Sequence, residues 1–90
     1  MHPVEKGKIV SCQIAYAPIN TTDYMEEINE MLNLIKESDL SYNIGILSTT
    51  IQGSIEEILD LIAKINELAT YEDRSYVMNI ALSNICGCER

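Results

Sequence analysis

The side chains best placed to do chemistry in this sequence are ones that bond a ligand without attacking it. Gln13 and Asn79 are primary amides in the middle of stretches otherwise made of apolar or small residues. Each amide offers two donors and an acceptor. Ser48, Thr49 and Thr50 are three consecutive hydroxyls leading to Gly53 and a helix start. Tyr16 and Tyr42 carry flat faces that can stack on a ring, although tyrosines at strand positions mostly serve a core or an interface. Taken singly, Gln13 and Asn79 read more readily as groups on a solvated or inter-subunit face. Thr50 reads as an ordinary strand former.

Bond-making chemistry finds little support. There is no G-x-x-x-x-G-K, H-E-x-x-H or G-x-S-x-G run. His2 is the sole imidazole and sits at the N-terminus, poorly placed to serve a cysteine nucleophile as base. Glu26, Glu27, Glu30, Glu56 and Glu57 read as solvated helix faces rather than an acid/base pair. Backbone N–H groups at Gly53 to Glu56 would suit a phosphate, but Glu56 and Glu57 repel one, so ordinary capping is the better reading. Cys12, Cys86 and Cys88 supply at most three thiolates, whereas structural zinc takes four ligands at a recognisable spacing. No metal and no cofactor are therefore expected. The odd cysteine count and the lack of a signal peptide favour reduced thiols in the cytoplasm.

The formal net charge is −8. Lys6 and Lys8 lie near the N-terminus, and Lys36, Lys64, Arg74 and Arg90 are scattered, so no basic stripe exists to neutralise phosphates. Nucleic acid and anionic membranes are disfavoured as partners. A neutral or cationic partner is easier to accommodate. No apolar run approaches the ~20 residues that span a bilayer.

Positioning these groups falls to six elements within one domain over residues 1–90, with residues 1–7 as a loose N-terminus. Lys8 to Ile19 alternates, with Val10, Cys12, Ile14 and Tyr16 on one side, and predicts a strand. Asp23 with Glu26 offers a capping box for a helix over Tyr24 to Ser38, whose apolar stripe is Met25, Ile28, Met31, Leu32 and Ile35. Two short strands follow, about Ser41–Leu47 and Thr49–Gln52, with a bend near Leu47-Ser48. Ser54 with Glu57 is a second capping box, opening a helix with the stripe Ile55, Ile58, Leu59, Ile62, Ile65 and Leu68 to about Ala69. Ser75 to Ile85 alternates again, Tyr76, Met78, Ile80 and Leu82 against Val77, Asn79, Ala81 and Ser83, and forms the last strand. The order predicts an α+β, ferredoxin-like βαββαβ domain: a four-stranded antiparallel sheet with two helices on one face. The other face stays bare in a monomer, so a homodimer or larger homo-oligomer through the sheet is expected.

Three stretches give the chain a family likeness. They are Cys12-Gln13-Ile14-Ala15-Tyr16-Ala17-Pro18-Ile19, Asp23-Tyr24-Met25 with Ile28, and Leu40-Ser41-Tyr42-Asn43 through Leu47-Ser48-Thr49-Thr50-Ile51-Gln52-Gly53 ahead of Glu56-Glu57-Ile58. In these the chain resembles the YkoF-type and related thiamine-binding proteins, small ferredoxin-like domains. Gln52 departs from the pattern, standing where many relatives of the single-domain branch carry an acid. Some relatives also hold two such domains in tandem. The resemblance implies non-enzymatic binding of thiamine or its hydroxymethylpyrimidine half, in vitamin uptake, buffering or sensing. It implies that Gln13, Thr49 and Asn79, with Ser48 and Tyr42, hold an aminopyrimidine ring, which needs a flat slot with groups that both donate and accept. The alternative is a structural or regulatory oligomerisation module without this ligand. A third reading is a small enzyme completed by a partner subunit.

Overall fold

A computed structural model describes residues 9–85. Six elements follow in the order β1 (Val10–Ile19), α1 (Tyr24–Glu37), β2 (Ser41–Ile44), β3 (Thr49–Gly53), α2 (Ile55–Tyr71) and β4 (Ser75–Ser83). The strands form one sheet in the order β2-β3-β1-β4, every neighbouring pair antiparallel. This is the expected ferredoxin-like α+β fold.

Period-2 alternation in β1 sends Val10, Cys12 and Ile14 into the core beneath the helices. Ile51 of β3 joins them, opposite Cys12. Met31 and Ile35 of α1, and Ile58, Leu61 and Ile65 of α2, close the core from above. The Cys12 thiol lies inside it, and burial raises its pKa. Cys86 and Cys88 lie outside the described residues.

The helix ends are held in different ways. The Ser54 side chain accepts from the Glu57 N–H while the Glu57 carboxylate accepts from the Ser54 N–H, the reciprocal capping box expected from sequence. Asp23 departs from expectation. It stands at the N-cap of α1, but its side chain makes no capping bond. Its backbone N–H instead donates to Thr21 Oγ1 at 2.9 Å, after Asn20 turns the chain at φ 56°. At the other end of α1, the Ile35 carbonyl accepts both the Ser38 N–H at 3.1 Å and Ser38 Oγ at 2.6 Å.

Both apolar stripes differ in part from the periodic reading. Met25 is 63% exposed, and the buried row of α1 is Glu27, Met31 and Ile35, at spacings of four. In α2 the buried row is Ile58, Leu61, Ile65 and Ala69, while Leu59 is 52% exposed. A stripe of apolar residues on a helix is wider than the strip that a four-stranded sheet and one neighbouring helix can cover. Residues on its flank therefore stay in solvent.

Glu27 is the charged member of this core. Arg74, at the start of β4, reaches it across the end of the sheet. Arg74 Nη1 donates to Glu30 Oε1 at 2.8 Å, and its Nε stands 3.8 Å from Glu27 Oε2. The hydrogen bond from Arg74 holds the Glu30 carboxyl below its usual range. The acidic residues of α1 are thus not all a solvated face. Glu27 and Glu30 tie α1 to the turn between α2 and β4.

The revised helix register is testable by truncation. Leu61→Ala removes a core side chain and is expected to lower unfolding stability by about 2–5 kcal/mol. Leu59→Ala, two residues away, should change it by no more than about 0.5 kcal/mol. Urea unfolding of the two variants checks the assignment, and equal losses would contradict it.

Candidate functional site

β1 is ten residues long, and β3 is five. β3 pairs with β1 from Val10↔Gly53 to Ile14↔Thr49 and then stops. β4 accompanies β1 all the way to Ile19↔Ser75. From Ala15 to Ile19 the β3-side edge of β1 therefore has no partner strand among the described residues. A sheet edge is a row of unmet N–H and C=O groups.

The chain turns back from β2 to β3 beside this edge. Gly45 N–H donates to the Ser48 carbonyl at 2.9 Å, which ends β2 at Ile44 rather than at the expected Leu47. A Cβ on Gly45 would lie 2.9 Å from that same carbonyl oxygen, so the tight closure needs glycine. Ile46 is then fully exposed at the tip. Between the turn, the bare edge of β1 and the side of α1 lies a cavity of about 350 Å³. Its walls include Ala15, Tyr16 and Ala17 of β1, Tyr24 and Met31 of α1, Ser48 and Thr49 at the head of β3, and Asn79 of β4.

Three of the five residues singled out from sequence thus meet at one cavity: Ser48, Thr49 and Asn79. They arrive from opposite faces of the sheet. Thr49 pairs with Ile14 and is buried on the helix side. Asn79 pairs with Ala15, and Gln13 lies between Thr50 and Ala81, both on the helix-free face. The two faces communicate here because β3 has ended. Gln13 lines a neighbouring cavity of about 380 Å³ on the helix-free face, again with Ser48 and Asn79. Tyr42 lies on edge strand β2 opposite Ile51, exposed, and lines neither cavity.

Tyr16 supplies the aromatic wall. Its ring stacks on Tyr76 with centroids 5.1 Å apart and planes inclined by 22°. Burial raises the Tyr16 pKa, and the Glu27 carboxylate and Tyr76 raise it further against the opposing Arg74. The phenol hydroxyl can donate one hydrogen bond and accept another. The Tyr76 hydroxyl donates to Asn66 Oδ1 at 2.6 Å and fixes the outer ring of the stack.

Met31 escaped sequence reasoning as a site residue because it sits in the apolar stripe of α1 and reads as core, and Tyr24 because it stands at the helix start outside that stripe. The bare edge itself carries no residue signal. A length comparison of the first strand with the third would have found it. On the helix-free face the amide of Gln52 donates to Ser11 Oγ at 3.0 Å across the β1–β3 pair. A neutral Gln52 therefore serves the sheet directly.

Among solved structures, a candidate thiamine biosynthesis/salvage protein from Thermotoga maritima superposes with a TM-score of 0.72 at 23% identity, covering 83% of this chain and 82% of that one. A domain of unknown function, DUF77, from Bacillus cereus gives 0.75 at 17% identity over 84% of this chain and 75% of its own. A hypothetical protein from Methanocaldococcus jannascii gives 0.74 at 14% identity, over 84% and 79% respectively. At these identities the likeness establishes a shared fold. No curated protein matches the sequence. The model of the YKOF-related family matches residues 9–89, nearly the whole chain, and the chain belongs to that family.

Proposed function

We propose that this protein binds thiamine or its hydroxymethylpyrimidine half without transforming it, in the notch where β1 outruns β3. The observation that carries this reading is the unpaired backbone of Ala15 to Ala17 forming one wall of a cavity of about 350 Å³. An aminopyrimidine edge sets a ring-nitrogen acceptor beside an exocyclic amino donor. A strand edge sets N–H beside C=O, so the two are complementary. Thr49 and Ser48 add hydroxyls on one side, and Asn79 adds an amide on the other. Tyr16 and Tyr24 offer apolar ring surface. The cationic thiazolium approaches a protein of net charge −8 without electrostatic opposition.

Family membership and the candidate thiamine role of the Thermotoga maritima protein support the same ligand class. Among the described residues no machinery for turnover is evident. The one cysteine among the described residues, Cys12, is buried with a raised thiol pKa, the opposite of an activated nucleophile. Among the described residues no helix is long and apolar enough to cross a membrane.

We further propose that two copies pair through the helix-free face. That face carries small side chains, Ser11, Ala15, Ala17, Ala81 and Ser83, together with Gln13 and Asn79, and no helix covers it. Pairing would close the second cavity over Gln13, Ser48 and Asn79. The amides would then serve ligand and partner from one surface.

Binding is tested by calorimetry against thiamine, thiamine diphosphate and hydroxymethylpyrimidine. Thr49→Ala and Asn79→Ala each remove one neutral hydrogen bond, expected to cost about 0.5–1.5 kcal/mol, a several-fold loss of affinity. Gln13→Ala is expected to act in the same direction. If the parent protein binds none of the three compounds at millimolar concentration, the ligand reading fails and the oligomerisation module becomes the better account. Pairing is tested by light scattering at micromolar concentration. At least twice the chain mass is expected, and a clean monomer would contradict pairing through the sheet.

A further inference from the structure

A second cleft lies at the end of the sheet where β1 leaves for α1 and α2 turns into β4. It measures about 300 Å³ and is lined by Ile19, Asn20, Asp23, Glu27, Glu72, Asp73 and Arg74, with Thr21 and Ser75 between them. It shares no lining residue with the notch beside β1. Four acidic residues and one arginine are among these lining residues.

Glu27 is what makes this more than an acidic surface. It is only 7% exposed, yet among the described residues its Oε1 is buried without a hydrogen-bond partner. Arg74 does not supply one. Its Nη1 is engaged with Glu30 at 2.8 Å, and its Nε faces the other oxygen of Glu27, Oε2, at 3.8 Å. A buried carboxylate oxygen without a donor is costly, and any cation that brings N–H groups to it recovers that cost.

We infer that this cleft binds a small organic cation through a primary ammonium group, with Glu27 as its anchor and Asp23 as a second carboxylate. A divalent metal fits less well, since no three described His, Cys, Asp or Glu side chains converge closely enough to ligate one. An ammonium needs no such shell. Its three donors can divide between Glu27 Oε1, a neighbouring carboxylate and a backbone carbonyl. It is also compact enough to enter beside the Arg74 guanidinium. Thiamine itself does not meet the requirement, because its cationic nitrogen is quaternary and carries no N–H. The inference therefore stands independently of the proposed vitamin site.

The test is an NMR titration of the full chain with putrescine as the probe, and with tetramethylammonium and magnesium ions in parallel. Saturable shifts with putrescine at Glu27 and Asp23 are expected, with no equivalent effect from tetramethylammonium, which has charge but no donor. Glu27→Gln is expected to weaken putrescine binding by about tenfold or more, as for loss of a charge-assisted hydrogen bond. Asp23→Asn keeps an equally good N-cap residue and provides a second reading should Glu27→Gln fold poorly. It is expected to weaken binding several-fold. Thr49→Ala should leave putrescine binding unchanged. The absence of saturable binding, equal binding of tetramethylammonium, stronger Glu27-dependent binding of magnesium, or retention of full affinity in Asp23→Asn would each overturn the inference.

Discussion

Strand pairing that runs out on one side of β1 is the constraint on which the rest of this molecule depends. β1 needs its full length to hold β4, its partner from Ser11 to Ile19. β3 can follow only to Ile14, because the Gly45–Ser48 turn has already consumed the connecting chain. In a sheet with matched strands, the β1 edge would be closed and its two faces separated. Here Thr49 from the helix side and Asn79 from the helix-free side reach one cavity. The mismatch also removes the backbone partners that β1 would otherwise have beyond Ile14. Self-pairing with another chain would threaten such an edge in the open. α1, laid alongside through Tyr24 and Met31, and the overhanging turn shield it.

That shielding depends on α1 being held at its start. Its apolar row there is interrupted by Glu27, which contributes little to a hydrophobic core. Arg74 compensates by joining Glu30 and standing near Glu27, so that α1 is fixed to β4 by charge where it lacks grease. A pair that is mostly buried contributes more to placement than to net stability. Placement is what the notch requires, since a shift of α1 would alter its width directly. The same electrostatics reach Tyr16, whose phenol pKa is raised by burial and, next, by the Glu27 carboxylate.

Much of this architecture was legible in the residues. Alternation in Lys8 to Ile19 and Ser75 to Ile85, two helical stripes and the Ser54–Glu57 box suffice for the element order, because each is a local signal. What the residues did not reveal is relational. Glu27 looks like its neighbours Glu26 and Glu30 until it is placed four residues before Met31 and eight before Ile35, on the buried row. Asp23 and Glu26 match a capping pattern, but Thr21 takes the Asp23 N–H and the box does not form. Asn79 stands out as an amide in an apolar strand, and Ser48 and Thr49 as consecutive hydroxyls ahead of a helix start. That they meet across two faces follows from where β3 stops, which is a property of the turn and not of those residues.

The bare edge of β1 is therefore where the account is most exposed to measurement. Amide hydrogen exchange, residue by residue, with and without saturating thiamine, reads it directly. Between Ala15 and Ile19, the amides that point away from β4 should exchange far faster in the free protein than those of Val10 to Ile14, and should slow when thiamine is added. Equal protection along both halves of β1 in the free protein, or fast exchange unchanged by the ligand, would contradict a ligand site built on the unpaired strand.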